Sequence, residues 1–463
     1  MTSLRDKQIL VLGLGETGLS LARWLNEQGA KLRVADSRDA PPGLAELRKE
    51  LPKADVRCGV FRGELLEEIE LIAISPGVPV AEPLVQKALA LRIPVVGDIE
   101  LFAQSLPKDN RPHILAITGA NGKTTVTSMV GAMCRAAGLD TEVAGNIAPA
   151  VLDVLRLRKG KQPQVWVLEL SSFQLETTYS LSADAATVLN ISEDHLDRYA
   201  DIADYIAAKA RIFRSAGKGG TQVLNREDAE SMGMLLRERS VVSFGLNTPP
   251  TPLDWGVEHE GSDLWLVQGA GRVMKADELQ VVGRHNIANA LAALALCRAE
   301  GIPLAPLVKA LREFKGLPHR VEKVAEIEGV TYYDDSKGTN VGATCAALNG
   351  LGKQAVVILG GDSKGQDFAP LKPVVAQHAR AVVLIGRDAR LIAEALQGCG
   401  VPMLNAVDMD EAVHLASQAA EAGDAVLMSP ACASFDMYKN YLHRAEAFIA
   451  AVKKTEATCS VPR

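Results

Sequence analysis

The sequence predicts an α/β protein of three domains, each built on its own largely parallel sheet. Three observations carry this expectation. The chain has 463 residues, too many for one compact core and suited to about three domains of common size. Short apolar, β-branched runs recur along its length, each followed by a glycine or polar turn and then an Ala/Leu-rich helical stretch, the alternation that builds parallel α/β units. Two segments interrupt it, "LPKDNRP" at 106–112 and "FKGLPHR" at 314–320, both carrying proline and charge. They set the expected domains at 1–107, 108–316 and 317–463.

In the first domain the strand runs are "ILVLG", "LRVAD" and "LIAISPG". The first leads into "GLGETG", a G-x-G-x-x-G whose glycines let a backbone turn bring a diphosphate to a helix start, with Asp36 a little over 20 residues downstream. Taken alone this is a weak, NAD-type fingerprint. The second domain reads "HILAITG", "VWVLELSS", "AATVLNIS" and "TQVLN", passes through "NTPPTPLDW" as a surface excursion, and ends in the helix "NIANALAALALCRAEG". The third reads "VTYYDDS", "QAVVILGGD", "AVVLIGRD" and "DAVLMSP". In open parallel sheets ligands gather beyond the carboxyl ends of the strands. Here polar, glycine-rich stretches follow the apolar runs directly, so each sheet offers a site on one edge.

Bulk properties narrow the class. A net charge of −6 gives no general pull toward nucleic acid or an anionic membrane. No apolar run approaches the roughly 20 residues that span a bilayer, and the N-terminus enters a strand pattern at once instead of a signal peptide. A cytoplasmic enzyme is expected, with no nucleic-acid or membrane partner. The seven cysteines include no C-x-x-C pair, which argues against a zinc knuckle or a disulfide framework.

The most informative stretch is "ILAITGANGKTTVTSMV", 114–130. A standard phosphate loop, G-x-x-x-x-G-K-[ST], wants glycine where this chain has Ile117. The parts are present nonetheless. Gly119 and Gly122 let backbone N–H groups turn inward, the helix start favours anions, Lys123 supplies a mobile charge, and the Thr124 hydroxyl can ligate Mg²⁺. ATP or GTP follows. Glu169 lies near the end of the buried-looking run "VWVLELSS", where an unpaired carboxylate costs several kcal/mol unless a cation or donor meets it. His195 follows another strand end in "VLNISEDHLDRY". Alone it reads as a satisfied loop histidine, and beside Glu169 and Thr124 it reads as a candidate ligand.

Taken in order, "TGANGKTT", "LELSSFQLE", "LNISEDHLDRY", "YIAAKARIF", "GRHNIANALAALA", "GLPHRVE", "DDSKGTN" and "MSPACASFDMYKNY" resemble the Mur ligases across nearly the whole chain. The shortened G-x-x-G-K-T loop is that family's variant and implies ATP. The resemblance implies a Rossmann-like N-terminal domain holding a UDP moiety, a central P-loop ATPase, and a Rossmann-like C-terminal domain that closes over the site. It implies an ATP-dependent, amide-forming ligase that uses Mg²⁺ and joins D-glutamate to UDP-N-acetylmuramoyl-L-alanine, as a monomer, in peptidoglycan precursor synthesis.

By the same resemblance Lys123 reaches the ATP phosphates, with Gly119, Asn121, Gly122, Thr124 and Thr125 around them. Thr124 and Glu169 serve one metal ion, and His195 serves a second. Lys209 matches a lysine that is carbamylated in the family; on its own residues it reads as a solvated helix lysine. Asn286 and Asn289, three apart and so on one helix face, resemble contacts near adenine, while Arg320 and Asp335 hold ATP from the C-terminal side. Glu16, Thr17, Asp36, Ser37, Ser75 and Gly77 line the uridine and diphosphate, and Asn146 meets the muramoyl part. Lys337, Thr339, Lys364, Ser434 and Phe435 match a D-glutamate pocket, which needs cationic and hydroxyl donors for two carboxylates, and Tyr441 closes it. Ala120, Gly338, Ser363 and Ala445 depart from the family's usual residues, and none removes a group assigned to chemistry.

The implied mechanism is phosphorylation of the alanyl carboxylate by ATP, then attack of the D-glutamate amine on the acyl phosphate. Alternatives of other kinds are a folylpolyglutamate-type or other Mur ligase, an NAD-dependent oxidoreductase resting on "GLGETG" and Asp36, and a non-catalytic nucleotide switch.

Overall fold

The computed structural model describes residues 3–192, 198–214 and 219–459. Three sheets are present. The first has five parallel strands in the order Asp55–Cys58, Lys31–Asp36, Gln8–Leu12, Leu71–Ile74, Val95–Val96. Chain order reverses at Gln8–Leu12, so the crevice beyond Leu12 is the topological switch point where ligands bind in such sheets.

The second sheet has nine strands, in the order Gly271–Lys275, Asp263–Gln268, Trp255–Glu260, Ser240–Phe244, Thr221–Asn225, Ala185–Val188, His113–Thr118, Val165–Glu169, Thr141–Gly145. Its last six strands are parallel, and Trp255–Glu260, Asp263–Gln268 and Gly271–Lys275 form an antiparallel extension. This extension corrects the reading of 247–255 as a plain surface excursion. Thr251–Leu253 are exposed, but Asp254 and Trp255 turn inward, because the Asp254 carboxylate accepts from both the N–H and the hydroxyl of Ser243, at 2.6 and 2.7 Å.

One face of this sheet is covered by the helices Lys123–Ala136, Arg284–Ala299 and Leu304–Glu313. The first two pack side by side, and near their far ends Cys297 Sγ lies 3.7 Å from Met133 Sδ. The other face shares its core with the first domain: Phe102 meets Trp166 edge to face at 4.9 Å between ring centres. Apolar burial across that seam, at about 25 cal/mol per Å², makes the N-terminal and central domains one packed body.

The third sheet has six strands, in the order Glu322–Ile327, Val330–Asp334, Ala425–Met428, Ala355–Leu359, Ala379–Leu384, Met403–Asn405, all parallel but the first. Separate apolar clusters cover its two faces. No helix among the described residues is long and apolar enough to cross a membrane.

Candidate active site

The phosphate loop follows the strand His113–Thr118, which lies between two other parallel strands of the central sheet. Gly122 closes it at φ +81°, and a Cβ there would stand 2.6 Å from Asn289 Oδ1, so both the left-handed turn and the close approach require glycine. The side chain of Asn190, from the neighbouring strand's end, accepts from the Asn121 N–H at 2.8 Å and donates to its carbonyl at 3.1 Å. Lys123 Nζ donates to Gly119 O at 2.8 Å and Ala120 O at 2.9 Å.

This loop forms one wall of a cavity of about 450 Å³ between the central and C-terminal domains. Asn121, Gly122 and Thr125 line it from the loop, Asn286 and Asn289 from the helix Arg284–Ala299, and Arg320, Asp335 and Lys337 from the third domain. The two helix amides share one face as expected, with Asn289 Nδ2 donating to Asn286 Oδ1 at 3.1 Å. Two contacts cross the domain junction at the loop. Arg320 Nη2 donates to Thr124 Oγ1 at 2.7 Å, and the amides of Asn121 and Asn340 exchange hydrogen bonds at 3.3 and 3.1 Å.

Charge in this cavity is out of balance. Burial pushes the Asp335 carboxyl up to about 7, against the Ser429 hydroxyl, which donates to it at 2.6 Å, and the Arg320 charge. Burial lowers the Arg320 guanidinium, while Glu169 and Asp335 pull the other way. Burial, helped by the Arg320 charge, lowers the Lys337 ammonium to about 8. That ammonium stands 4.1 Å from the centre of the Tyr441 ring.

A second cavity, of about 510 Å³, lies between the first domain and the central sheet at the switch point. Glu16, Thr17, Asp36, Ser37, Ser75, Gly77 and Asn146 all line it. Burial raises the Asp36 carboxyl, but Arg38 at 2.7 and 2.8 Å and the Leu14 N–H at 2.7 Å outweigh it and hold the group down at about 2.

Glu169 ends the strand Val165–Glu169, beside the strand that leads into the phosphate loop. It is 2% exposed, its Oε1 accepts from Asn146 Nδ2 at 3.0 Å, and its charge acts on Arg320 and Lys337 across the first cavity. Its Oε2 is buried with no hydrogen-bond partner among the described residues. A carboxylate oxygen without a partner among the described residues, on the strand beside the one that leads into the phosphate loop, fits a hard divalent cation. Lys209 differs from the solvated helix lysine that its own residues suggest. It is 2% exposed, and its Nζ donates to Gly119 O at 2.9 Å, beneath the loop, and to Thr118 Oγ1 at 3.4 Å. His195 lies outside the described residues.

The remaining predicted residues sit on loops of the third sheet. Lys337 and Thr339 follow the strand Val330–Asp334, Lys364 follows Ala355–Leu359, and Ser434 follows Ala425–Met428, which are three adjacent parallel strands. Tyr441 opens the last helix, and its carbonyl accepts from Ser336 Oγ at 2.8 Å. Ser434 is buried, whereas Phe435 is 71% exposed and turned to the surface. Sequence reasoning missed Arg38 and Gln174 in the second cavity, and Asn190 and Asn340 at the first. Arg38 had a signal: it follows Ser37 directly, a cation at the lip of a diphosphate turn.

A phosphate loop on the middle sheet, a second cavity at the switch point of the first and a third sheet facing the loop define a three-domain, nucleotide-using enzyme. The chain matches the Mur ligase MurD-like N-terminal domain over residues 7–97, the Mur ligase middle domain over 117–297 and the Mur ligase glutamate ligase domain over 319–432. It is 59% identical to the UDP-N-acetylmuramoylalanine--D-glutamate ligase of Nitrosospira multiformis, covering 98% of this chain and 97% of that one, and 57% identical to the same-named protein of Nitrosomonas eutropha, covering 97% of each. Among solved structures, the UDP-N-acetylmuramate-alanine ligase MurC of Thermotoga maritima superposes with a TM-score of 0.60 at 20% identity, covering 97% of this chain and 99% of that one. MurF of the same organism, in complex with ADP, also gives 0.60, at 14% identity, covering 98% and 96%. The chain belongs to the Mur ligase family, which are ATP-dependent, amide-forming ligases.

Proposed function

We propose that this protein joins D-glutamate to UDP-N-acetylmuramoyl-L-alanine at the expense of ATP, in the cytoplasm and as a monomer, with domains divided near 107 and 316. The observation that carries the reading is Glu169, a buried carboxylate with one oxygen held by Asn146 of the second cavity, the other without a hydrogen-bond partner among the described residues, and a charge that acts on Arg320 and Lys337 of the first. A site that must bring a triphosphate to a substrate carboxylate needs such a junction. High identity to relatives named for this reaction supports the choice of substrates.

In this reading the second cavity holds the UDP-sugar, with Glu16, Thr17, Asp36, Ser37, Ser75 and Gly77 around the nucleotide and Asn146 at the muramoyl end. The first holds ATP: Gly119, Asn121, Gly122, Thr124 and Thr125 around the phosphates, Asn286 and Asn289 toward the base, and Arg320 and Asp335 from the third domain. Lys123 turns from its loop carbonyls to the phosphates and offsets charge as the terminal phosphoryl passes to the alanyl carboxylate. The resulting acyl phosphate is attacked by the D-glutamate amine, and phosphate leaves as the amide forms. Lys337, Thr339, Lys364, Ser434 and Tyr441 hold the glutamate carboxylates, and Phe435 lies at the pocket's rim. Thr124 and Glu169, with His195 and a carbamylated Lys209, would hold Mg²⁺, which would supply positive charge to offset that of the phosphates.

The test is incubation with UDP-N-acetylmuramoyl-L-alanine, ATP, Mg²⁺ and labelled D-glutamate. Label should enter the nucleotide peptide, and ADP release should depend on D-glutamate over L-glutamate, L-alanine and diaminopimelate. Equal ADP release with another acceptor would assign the protein to another branch of the family.

A further inference from the structure

We infer that Arg198 is a positioning residue, holding the Ser75–Pro76–Gly77 turn of the second cavity in register with the Glu169 end of the central sheet. The inference deepens the proposed function and rests on it for the identity of the ligand. Arg198 belongs to the central domain, yet its Nη1 donates to Pro76 O at 2.7 Å and its Nη2 to Val78 O at 3.3 Å, the carbonyls on either side of Gly77. The same Nη2 meets Glu176 at 3.1 Å, and the guanidinium carbon stands 4.1 Å from the centre of the Phe173 ring. Its side chain is 11% exposed.

The anchors place this contact. Phe173 and Glu176 lie on the helix Ser172–Glu176, which starts three residues after Glu169 and whose Gln174 also lines the second cavity. On the opposite side the turn is tied to the glycine loop, where Ser75 Oγ donates to Gly13 O at 3.4 Å. The cavity wall is therefore held from its own domain by Ser75 and from the central domain by Arg198. A planar fork reaching two carbonyls and a carboxylate fixes direction as well as distance, which a lysine cannot do. Displacing the turn would shift the bound sugar nucleotide relative to Glu169 and leave the ATP and D-glutamate contacts in place.

The experiment varies each substrate in turn on the full-length protein. Arg198→Met should raise KM for UDP-N-acetylmuramoyl-L-alanine by about tenfold, the worth of one lost charge-assisted contact. KM for ATP and for D-glutamate should stay within about twofold, and Arg198→Lys should recover only part of the loss. Three KM values rising together with a lowered Tm, or full recovery by lysine, would overturn the assignment. Should Arg198→Met fail to fold, Glu176→Gln, which loosens the fork without removing it, should raise the same KM alone by a smaller factor; no change there also overturns it. If the wild-type protein forms no product, the function reading fails. Calorimetric binding of UDP, weakened or not by Arg198→Lys, then decides the role of Arg198 on its own.

Discussion

The two cavities are alike in size and in kind, each lying between the central sheet and another domain, but they treat charge in opposite ways. In the cavity against the first domain Asp36 is already paired with Arg38, and burial there is overcome before any ligand arrives. In the cavity against the third domain Asp335 is buried, Arg320 half-buried, and desolvation drives the shifts of Arg320, Asp335 and Lys337, while Glu169, whose charge acts on Arg320 and Lys337, keeps an oxygen with no hydrogen-bond partner among the described residues. The switch-point cavity is paired within itself. The phosphate-loop cavity is a set of groups that a polyanion and a cation would bring into balance, as the proposed phosphoryl transfer needs.

The contrast can be broken most forcefully at Lys123. Lys123→Ala should lower ligation by about three orders of magnitude or more, yet leave calorimetric binding of the UDP-sugar intact. Loss of both would show that the cavities do not act independently. Glu169→Gln keeps an oxygen for Asn146 and removes the charge, so turnover should fall by roughly a hundredfold, with saturation by Mg²⁺ moved to higher concentration. An unchanged Mg²⁺ profile would remove Glu169 from the metal site. Gly122→Ala forces a side chain into φ +81° and against Asn289. It should cost about 1–3 kcal/mol in urea unfolding and raise KM for ATP alone.

The smallest effect concerns pH and has opposite signs in the two cavities. The folded Asp335 carboxyl titrates near 7 against 3.8 when unexposed to its pocket, so the native state holds the extra proton between those values and stability falls as pH rises through that window. Asp335→Asn should therefore gain Tm relative to wild type from pH 4 to pH 8. Asp36, held at about 2, contributes stability that is present above its ordinary value near 3.8 and lost as pH falls toward 2. Asp36→Asn should lose Tm at neutral pH and converge on wild type in acid. Parallel pH profiles for the two variants would erase the distinction drawn here.

How much of this was legible in the sequence depended on where the information lay. The phosphate loop was local: glycines, a lysine and a threonine in one turn, after a strand. Glu169 was legible as a carboxylate in an apolar run, and the structure buries it at 2% exposure with one oxygen on Asn146. The third-domain pocket was not local. The residues proposed for it are spread from 337 to 441 on loops that follow three side-by-side strands and on the last helix, so resemblance alone named them. Lys209 carried no signal, since its burial comes from packing beneath a loop some 90 positions away in the chain. Arg198 stands in a run of mixed charge, and two of its partners are the carbonyls of Pro76 and Val78, which leave no trace in residue identity. The 255–275 extension was not legible because the prolines at 249, 250 and 252 read as a turn and mask the short antiparallel strands that follow.

The side-by-side helices of the central domain have a consequence of their own. One begins at Lys123 and the other carries Asn286 and Asn289 in its opening turns, while their far halves are sealed together around Met133 and Cys297. In the proposed ATP site, the span between Lys123 and the amides of Asn286 and Asn289 is thus gauged by hydrocarbon packing. Shaving a methyl group from Val130 or Leu294, both wholly enclosed, would reset that gauge from a place no nucleotide ever touches.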